Sequence, residues 1–347
     1  MNNTKQSNRI NYIDALRGFT MFLVVFGHVM LFSFDLGGYN SIIGSIFLTF
    51  RMPLFFFVAG IFSYKAIQYW HLKFYCNSIR KKFLVQIIPT IFFASIFLLC
   101  KNQNPIDSLI NNGFGGFWFT IVLFEMFIIY YSTSLLGNYT SSKICDLILI
   151  SLSILGIIIL VFFRQENWAW NFFCIENLVK YFQFFTFGIL CKKYNSLFFK
   201  IINNHTFRSG VIVLFIISLL LYFNSEFEQS YPLAFKGVHD ILARYAGLLV
   251  IFISFYHYKD FFDKKNTFNR TILFIGKRTL DIYLIHYFII PDLQFLKPIL
   301  EPSNMLLIQL VLASLISIII IFVCLLISNI IRTSSYLGHY LLGAKKV

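Results

Sequence analysis

The stretch Asn11–Met30, NYIDALRGFTMFLVVFGHVM, places three ionisable side chains inside an apolar run that is long enough to cross a bilayer. They belong to Asp14, Arg17 and His28. Because a helix turns by about 100° per residue, Arg17 and His28 point within roughly 20° of each other. Asp14 points about 40° from His28, on the side away from Arg17. The three side chains therefore share one face, and about 16 Å of helix axis separate Arg17 from His28.

An ionisable residue inside a membrane span indicates a functional site, because hydrocarbon does not accommodate it without a partner or water. A simpler alternative places Asp14 and Arg17 at the membrane interface, where their charged ends reach water, and makes His28 a contact between helices. The sequence favours the functional interpretation and leaves the simpler one open.

The composition is that of an integral membrane protein. Hydrophobic residues make up 58% of the chain, charged residues only 13%, and 45 residues are Phe. A soluble fold does not accommodate this much apolar surface, so we predict a lipid bilayer as the surroundings. In a membrane protein, the positions of the basic residues that give the formal charge of +14 indicate the orientation in the bilayer, and no nucleic-acid partner is expected. Six Cys without CxxC or CxxH spacing indicate no metal site.

Apolar runs of transmembrane length recur along the whole chain. They predict an all-α, polytopic membrane protein with about ten transmembrane helices in a single domain over residues 1–347, because no segment between them is long enough to bury a core of its own. The predicted spans are about 12–32, 42–64, 82–100, 117–135, 145–163, 176–191, 208–224, 240–257, 272–291 and 306–330.

Basic residues between these spans predict the orientation. With a cytoplasmic N-terminus, nineteen Lys and Arg fall in the inner segments and four in the outer loops. This bias is typical of the positive-inside rule and predicts a multi-pass protein of the cytoplasmic (inner) membrane with both termini inside. An aromatic belt at the outer boundary is expected from three residues: Trp118, Trp168 and Trp170.

With that orientation, the unusual polar residues form two groups joined along the first span. The outer group contains His28, Arg51, Glu125, Glu176, Lys180, Asp240, Arg244 and His286. The inner group contains Asp14, Arg17, Arg80, Lys81, Lys82, Lys277 and Arg278. This distribution predicts a site that is reached from both sides of the membrane.

Within the outer group, some charges have an obvious partner and others do not. Two pairs of opposite charge lie one helical turn apart and are expected to neutralise each other: Glu176 with Lys180 and Asp240 with Arg244. Arg51 and Glu125 are each single in a long apolar run. We predict that they face a water-filled cavity or each other.

Four segments, in this order, resemble the membrane-bound acyltransferase-3 family. They are Asp14–Gly18 followed by His28, then Phe50–Gly60 (FRMPLFFFVAG), Phe117–Phe119 (FWF) and Gly276–His286 (GKRTLDIYLIH). The subtype they resemble is the sugar O-acetyltransferase type, similar to fucose 4-O-acetylase-like proteins. The resemblance implies transfer of an acyl group, most simply acetyl, from cytoplasmic acyl-CoA to a hydroxyl of a cell-surface or lipid-linked carbohydrate. It also implies that Arg17 and His28 occupy the family's essential arginine and histidine positions.

The residue types fit that chemistry. A hydroxyl acceptor needs a base, and an imidazole is suited to the role, so we predict His28 as catalytic, with Glu125 or Asp240 as the carboxylate that orients it. Arginine and lysine bind phosphate, so acetyl-CoA is expected near the inner group, on Arg17, Asp14, Arg80 and Lys82. Four further residues are predicted to bind the acceptor or support its site: Arg51, Trp118, Arg244 and His286.

Two points stay open at this stage. Family members often carry an arginine shortly before the proline of the third span, whereas Val85 and Gln86 precede Pro89 here. The Arg80–Lys82 run either binds the donor or only anchors the helix. A transporter or flippase of a lipid-linked sugar is the main alternative function, and a purely structural subunit would leave Arg51 and Glu125 unexplained.

Overall fold

The computed structural model describes residues 10–37, 42–65, 70–111, 116–162, 172–223, 232–302 and 305–344. These ranges are helical and contain no strand. In chain order, the helices are α1 Asn11–His28, α2 Ile42–Ser63, α3 Leu72–Lys82, α4 Ile88–Cys100, α5 Pro105–Asn111, α6 Trp118–Leu136, α7 Ser142–Phe162, α8 Ile175–Lys193, α9 Asn195–Ile202, α10 His205–Tyr222, α11 Leu233–His257, α12 Lys259–Phe262, α13 Thr267–Lys277, α14 Thr279–Ile285, α15 Lys297–Leu300, α16 Leu306–Thr333 and α17 Ser335–Leu342.

The polytopic all-α prediction is confirmed, with differences in detail. Seven helical stretches in the described ranges are long and apolar enough to cross a membrane, and an eighth is added if α9 and α10, bent by 74°, count as one span. The third span is longer than expected, because α3, a π-helical turn and α4 run on from Leu72 to Cys100. The ninth is interrupted at Arg278, between α13 and α14.

The surface of α16 shows the polarity expected of a helix in a membrane. Its exposed side is aliphatic and aromatic, whereas its buried side carries small or polar residues. The exposed residues include Ile318, Ile319 and Phe322, and the buried ones include Gln309, Ser317 and Ser328. Lipid is as apolar as a protein core, so helices in a bilayer associate through small and polar side chains.

Two glycine crossings determine how the central helices meet. A Cβ on Gly18 would clash with the carbonyl oxygen of Ile272, and one on Gly276 would clash with that of Asp14. The same reciprocal arrangement joins α2 to α8 through Gly60 and Gly188. Glycine allows two helix backbones to approach closely, so these crossings hold α1 against α13 and α2 against α8.

Two π-helical turns interrupt the membrane helices. The first, Val29–Ser33, begins directly after His28, and the second, Phe83–Ile87, follows Lys82. A π-turn widens the helix by one residue per turn and often marks a functional site. Both turns adjoin the cavities described below.

Candidate active site

One cavity lies beside the cytoplasmic half of α1 in the predicted orientation, and we call it the inner cavity. Its volume is about 290 Å³. Its polar lining comes from α1, α2, α3, α6, α14 and the second π-turn: Arg17, Thr20, Ser63, Lys82, Gln86, Thr120 and Thr279. Aromatic side chains of α2, α6 and α14 complete the wall: Phe55, Phe62, Phe119, Phe127 and Tyr283.

Arg17 is held in the wall of the inner cavity by three contacts. One guanidinium nitrogen, Nη2, donates to Thr279 Oγ1 at 3.1 Å, and Nη1 lies 3.6 Å from Asp14 Oδ1. The guanidinium also lies 5.4 Å from the ring centre of Phe62. Because the side chain remains 28% exposed, a ligand in the cavity can contact it. Asp14, by contrast, is buried at 3% exposure and supports Arg17 rather than facing the cavity.

Lys82 supplies a second cation to the inner cavity. Its Nζ lies 3.6 Å from the ring centre of Phe127, and Gln86, one turn further on, lines the same cavity. Lys82 thus places a basic group in this cavity, two turns before Pro89. Arg80 is exposed and outside the cavity lining, so the structure does not bring it beside Arg17 and Lys82.

A second, smaller cavity surrounds His28 at the other end of α1, and we call it the outer cavity. Its volume is about 50 Å³. It is lined by Val24, His28, Arg51, Met52, Phe55, Gly116, Trp118, Phe119 and Tyr283. Three of these residues, Phe55, Phe119 and Tyr283, also line the inner cavity and therefore lie at the boundary between the two spaces.

His286, which was predicted to bind the substrate hydroxyl or to support its site, lies directly against His28. His28 Nδ1 and His286 Nε2 are 2.8 Å apart, and the two rings are nearly parallel. On its other side, His286 Nδ1 lies 3.0 Å from the carbonyl oxygen of Ile282. His286 has no exposed surface, so its contacts are with the protein.

These contacts assign the tautomers of both rings. A carbonyl oxygen only accepts, so His286 Nδ1 carries the hydrogen and its Nε2, in the neutral ring, is an acceptor. His28 Nδ1 must then donate to it. The remaining nitrogen of neutral His28, Nε2, therefore carries a lone pair. The assignment follows from the hydrogen-bond network and not from observed hydrogens.

One hydroxyl group lies near His28 Nε2 but does not donate its proton to this nitrogen. Tyr287 Oη lies 3.5 Å away, at the limit of a hydrogen bond. The same hydroxyl donates to the carbonyl oxygen of Gly116 at 2.9 Å, which commits its proton elsewhere. His28 Nε2 is thus positioned to accept a proton from another molecule.

Arg51 lines the outer cavity together with His28, and its guanidinium packs against the glycine that precedes His28 in α1. A Cβ on Gly27 would overlap Nη1 of Arg51, so only glycine leaves room for the guanidinium there. Nε of Arg51 is buried and has no hydrogen-bond partner among the residues that the structure describes. The prediction that Arg51 faces a cavity agrees with its place in the outer cavity lining.

Tyr283 of α14 also lines the outer cavity, and its hydroxyl group is held by two hydrogen bonds. Tyr283 Oη donates to the Gly116 carbonyl at 3.0 Å and accepts from the backbone N–H of Phe119 at 3.2 Å. Gly116 has a φ of +122°, in the region that favours glycine, and a side chain there would also crowd Tyr287. Gly116 therefore fixes two tyrosine hydroxyls beside His28.

A buried carboxylate anchors α14. Asp281 accepts from Arg332 Nε and Nη2, both at 2.9 Å, and from Ser328 Oγ at 2.5 Å. Arg278 Nη1 lies 3.2 Å from the same carboxylate. These bonds tie the interrupted ninth span to α16 and so fix the helix that carries Tyr283 and leads into His286.

Outside the membrane spans, an ion pair joins the ends of two site-bearing segments. Lys297 Nζ donates to Asp35 Oδ2 at 2.7 Å, and this hydrogen bond raises the pKa of the Lys297 ammonium. Because the pKa of the ammonium is raised, the stabilisation from this ion pair is complete below the ordinary lysine pKa. It is lost only as the pH rises through the raised pKa. The contact is therefore present at neutral pH.

Other predicted site residues lie elsewhere. Glu125 lines neither cavity, and its Oε2 is buried without a hydrogen-bond partner in the described ranges, so the structure does not bring it to His28 or Arg51. Arg244 Nε pairs with Asp240 Oδ2 at 2.7 Å, which confirms the predicted pair and keeps both away from the cavities. The orienting role assigned to a carboxylate is instead occupied by His286.

Trp118 does line the outer cavity, stacked on Tyr181 with ring centres 5.6 Å apart. Trp168 and Trp170 lie outside the described residues. Sequence reasoning missed Gly27, Gly116 and Tyr287. A signal existed for two of them, since Gly27 directly precedes His28 and Tyr287 directly follows His286.

Comparison with known proteins agrees with the sequence resemblance. The acyltransferase-3 family model, described as an acyltransferase domain, matches residues 10–328. No match was found among curated proteins or among solved structures. The matched range contains both cavities and every segment quoted above, and the described residues include no group of three His, Cys, Asp or Glu side chains that would hold a metal ion. The chain belongs to the membrane acyltransferase-3 family and is a multi-pass membrane acyltransferase.

Proposed function

We propose that this acyltransferase moves an acetyl group from cytoplasmic acetyl-CoA to a hydroxyl of a cell-surface or lipid-linked carbohydrate, in the cytoplasmic membrane. The observation that carries the proposal is the geometry of His28, whose Nδ1 is held by His286 and whose Nε2 is left with a lone pair in a cavity. That arrangement suits a general base acting on a hydroxyl group.

The donor would bind in the inner cavity. Coenzyme A carries phosphate groups, and Arg17 and Lys82 offer two cations in a space that is otherwise walled by aromatic and hydroxyl side chains. Arg17 is suited to phosphate because its planar guanidinium forms two parallel hydrogen bonds and stays charged in a poorly solvated site. Its bonds to Thr279 and Asp14 fix the side chain before the donor arrives.

The reaction would take place at the outer cavity. His28 Nε2 takes the proton of the acceptor hydroxyl while its oxygen attacks the thioester carbonyl. The new carbon–oxygen bond forms, the carbon–sulfur bond breaks, and the proton on His28 passes to the leaving thiolate, which departs as the free thiol of coenzyme A. The His28 imidazolium formed in between donates to His286 Nε2, an acceptor already in place. Arg51 lines the same cavity, and its cation would stabilise the negative oxygen of the tetrahedral intermediate.

Trp118 supports a carbohydrate as the acceptor. Its indole lies in the wall of the outer cavity, stacked on Tyr181. An aromatic face packs against the apolar face of a sugar ring, while the indole N–H and neighbouring polar groups are available to hydroxyls. Arg51 adds a charged donor to the same cavity.

The test uses the full-length protein purified into lipid nanodiscs with acetyl-CoA labelled in the acetyl group. Release of free coenzyme A together with transfer of label to a lipid-linked or polysaccharide hydroxyl fraction is the expected result. Accumulation of a labelled or unlabelled sugar across a proteoliposome membrane without release of free coenzyme A would contradict the proposal and favour the transporter alternative.

A further inference from the structure

The wall between the two cavities consists of three aromatic side chains. Phe55 of α2, Phe119 of α6 and Tyr283 of α14 line both the inner and the outer cavity. The rings of Phe55 and Phe119 meet edge to face with centres 4.6 Å apart, and those of Phe119 and Tyr283 meet similarly at 5.5 Å. Three helices thus contribute one ring each to a continuous partition.

The partition lies between the groups that the proposed reaction must bring together. Arg17 and Lys82 are on one side of it, and His28 and Arg51 are on the other. An acyl thioester held by its phosphates in the inner cavity must therefore extend past these rings to meet His28 Nε2. The space beyond them is about 50 Å³, much smaller than the inner cavity of about 290 Å³.

Of the three rings, Phe55 is the least restrained. The Tyr283 hydroxyl is bonded to Gly116 and to the backbone of Phe119, which fixes Tyr283 and the start of α6. Phe55 has no polar group to anchor it and is half-buried, whereas Phe119 and Tyr283 are buried. Rotation of Phe55 is therefore the smallest movement that would connect the two cavities.

We propose that Phe55, Phe119 and Tyr283 determine the acyl-chain length of the donor, and that Phe55 has the largest share because its side chain both bounds the outer cavity and moves to admit the thioester. A two-carbon acyl group fits beyond the partition, whereas each added methylene has to displace an aromatic ring. One methylene too many in a closely fitting pocket costs about 10- to 200-fold in kcat/KM. This inference rests on the proposed acyl-CoA activity.

The experiment compares acetyl-, butyryl- and hexanoyl-CoA as donors for the full-length protein in nanodiscs, with free thiol release and acceptor acylation measured for each. The wild-type protein is expected to prefer acetyl over butyryl by at least tenfold in kcat/KM. In Phe55→Ala this ratio should fall by about tenfold or more, because the rings no longer close the wall. Phe55→Leu should fall between the two and keeps most of the packing volume, so it reports on selectivity if the alanine variant folds poorly.

Phe62→Ala is the matched control. Phe62 lies on the same helix and lines the inner cavity but not the outer one. Its loss should alter the apparent affinity for every donor together and leave the acetyl-to-butyryl ratio as in the wild type. A ratio that changes equally in Phe62→Ala and Phe55→Leu would overturn the assignment to the partition.

The outcomes separate this inference from the function on which it rests. If the wild-type protein transfers no acyl group from any of the three donors, the proposed function fails. If it transfers acetyl and butyryl equally well, or if Phe55→Leu and Phe55→Ala keep the wild-type ratio while remaining active, the function stands and the role of the partition is wrong.

Discussion

The inner and outer cavities lie beside the same helix, α1, and differ in volume and in their polar side chains. The inner cavity is about 290 Å³ and presents two partly accessible cations, Arg17 and Lys82. The outer cavity is about 50 Å³ and presents His28 together with Arg51, and His28 is bonded to the fully buried His286. A larger space with partly accessible cations suits binding of a phosphate-bearing ligand, whereas a small space with fixed hydrogen bonds suits proton transfer.

The packing around the two cavities differs in the same sense. The Gly18–Gly276 crossing brings the backbones of α1 and α13 together and so positions Arg17 near Thr279. Near His28, Gly27 makes room for a side chain instead. One glycine contact sets the distance between helices, and the other makes room for a charged side chain in the cavity that contains His28. Damage to the inner cavity should therefore appear in donor affinity, and damage to the outer cavity in the rate of the chemical step.

The largest effect is expected for His28. His28→Ala and His28→Gln should each lower kcat by about 10²- to 10⁴-fold, because a positioned base is lost, while acetyl-CoA still binds. Glutamine keeps a hydrogen-bonding group but does not take up the proton. Steady-state kinetics and calorimetric titration of acetyl-CoA, both in nanodiscs, provide the measurement.

His205→Gln is the control for this comparison, since His205 is exposed at the start of α10 and should tolerate the change. If His28→Gln turned over at a rate near that of the wild type, His28 would be structural. The base would then have to be sought at His286, which is bonded to His28.

Gly27→Ala should come next. The added methyl group overlaps the position of Arg51 Nη1, so the guanidinium must move away from the histidine pair. A displacement of about 1 Å at a catalytic site can cost on the order of 100-fold, so kcat should fall by about 10- to 100-fold with little change in acetyl-CoA affinity.

Gly210→Ala is the matched control, because a Cβ there meets nothing within 4 Å. It should leave kcat and thermal stability close to those of the wild type. Equal losses in the two alanine variants would mean that the effect of Gly27→Ala is a general one on helix packing and does not act through Arg51.

Arg17 tests the other side of the comparison. Arg17→Ala should weaken acetyl-CoA binding by about 10- to 100-fold, the range for losing a hydrogen bond to a charged group. Arg17→Lys keeps the charge but loses the planar pair of donors, so its affinity should also fall, by a smaller factor. Calorimetry measures both directly.

Arg80→Ala supplies the contrast within the same proposed donor set. Arg80 is exposed and outside the inner cavity, so its removal should leave the dissociation constant within about twofold of the wild-type value. Unchanged binding in both Arg17 variants would count against the inner cavity as the donor site, and a loss in Arg80→Ala as large as that in Arg17→Ala would place the donor elsewhere.

The orientation prediction involves no loss of activity at all. Cys76 and Cys100 are both exposed and lie towards opposite ends of the same long span, Leu72–Cys100. In intact cells, a membrane-impermeant thiol reagent should label Cys100 and not Cys76, and permeabilised cells should show labelling of both. Labelling of Cys76 from outside would reverse the assignment of the inner cavity to the cytoplasm.

The positions of the membrane helices followed from sequence because their cause is local. An apolar run of about 20 residues satisfies its own backbone hydrogen bonds as a helix in lipid whatever surrounds it, so the first, second, fourth and tenth spans were found within a few residues. The third and ninth were less accurate. The π-turn at Phe83–Ile87 and the break at Arg278 depend on neighbouring helices, which the hydropathy of the segment does not contain.

In the candidate site, too, the features set by local sequence were predictable and those set by packing between helices were not. Helical periodicity was enough to put Arg17 and His28 on one face of α1, and the cost of burying charge was enough to mark Arg51 as unusual. Charge and depth alone predict Glu125 or Asp240 as the carboxylate partner of His28, and neither residue lines the outer cavity. Asp240 lies in a pair with Arg244, and a histidine 258 residues away from His28 in sequence occupies the position beside it.

The sequence by itself determined the apolar spans, the charge bias between their connections, the family and the two polar ends of α1, since each of these is set by residue type and short-range spacing. The tertiary structure alone decided that His286 and Tyr287 meet His28, that Gly27 admits Arg51, and that one aromatic ring from each of three helices separates two cavities. Those arrangements depend on how closely helices approach and on which side chains fill the space between them, which is a property of the packed molecule and of no single segment.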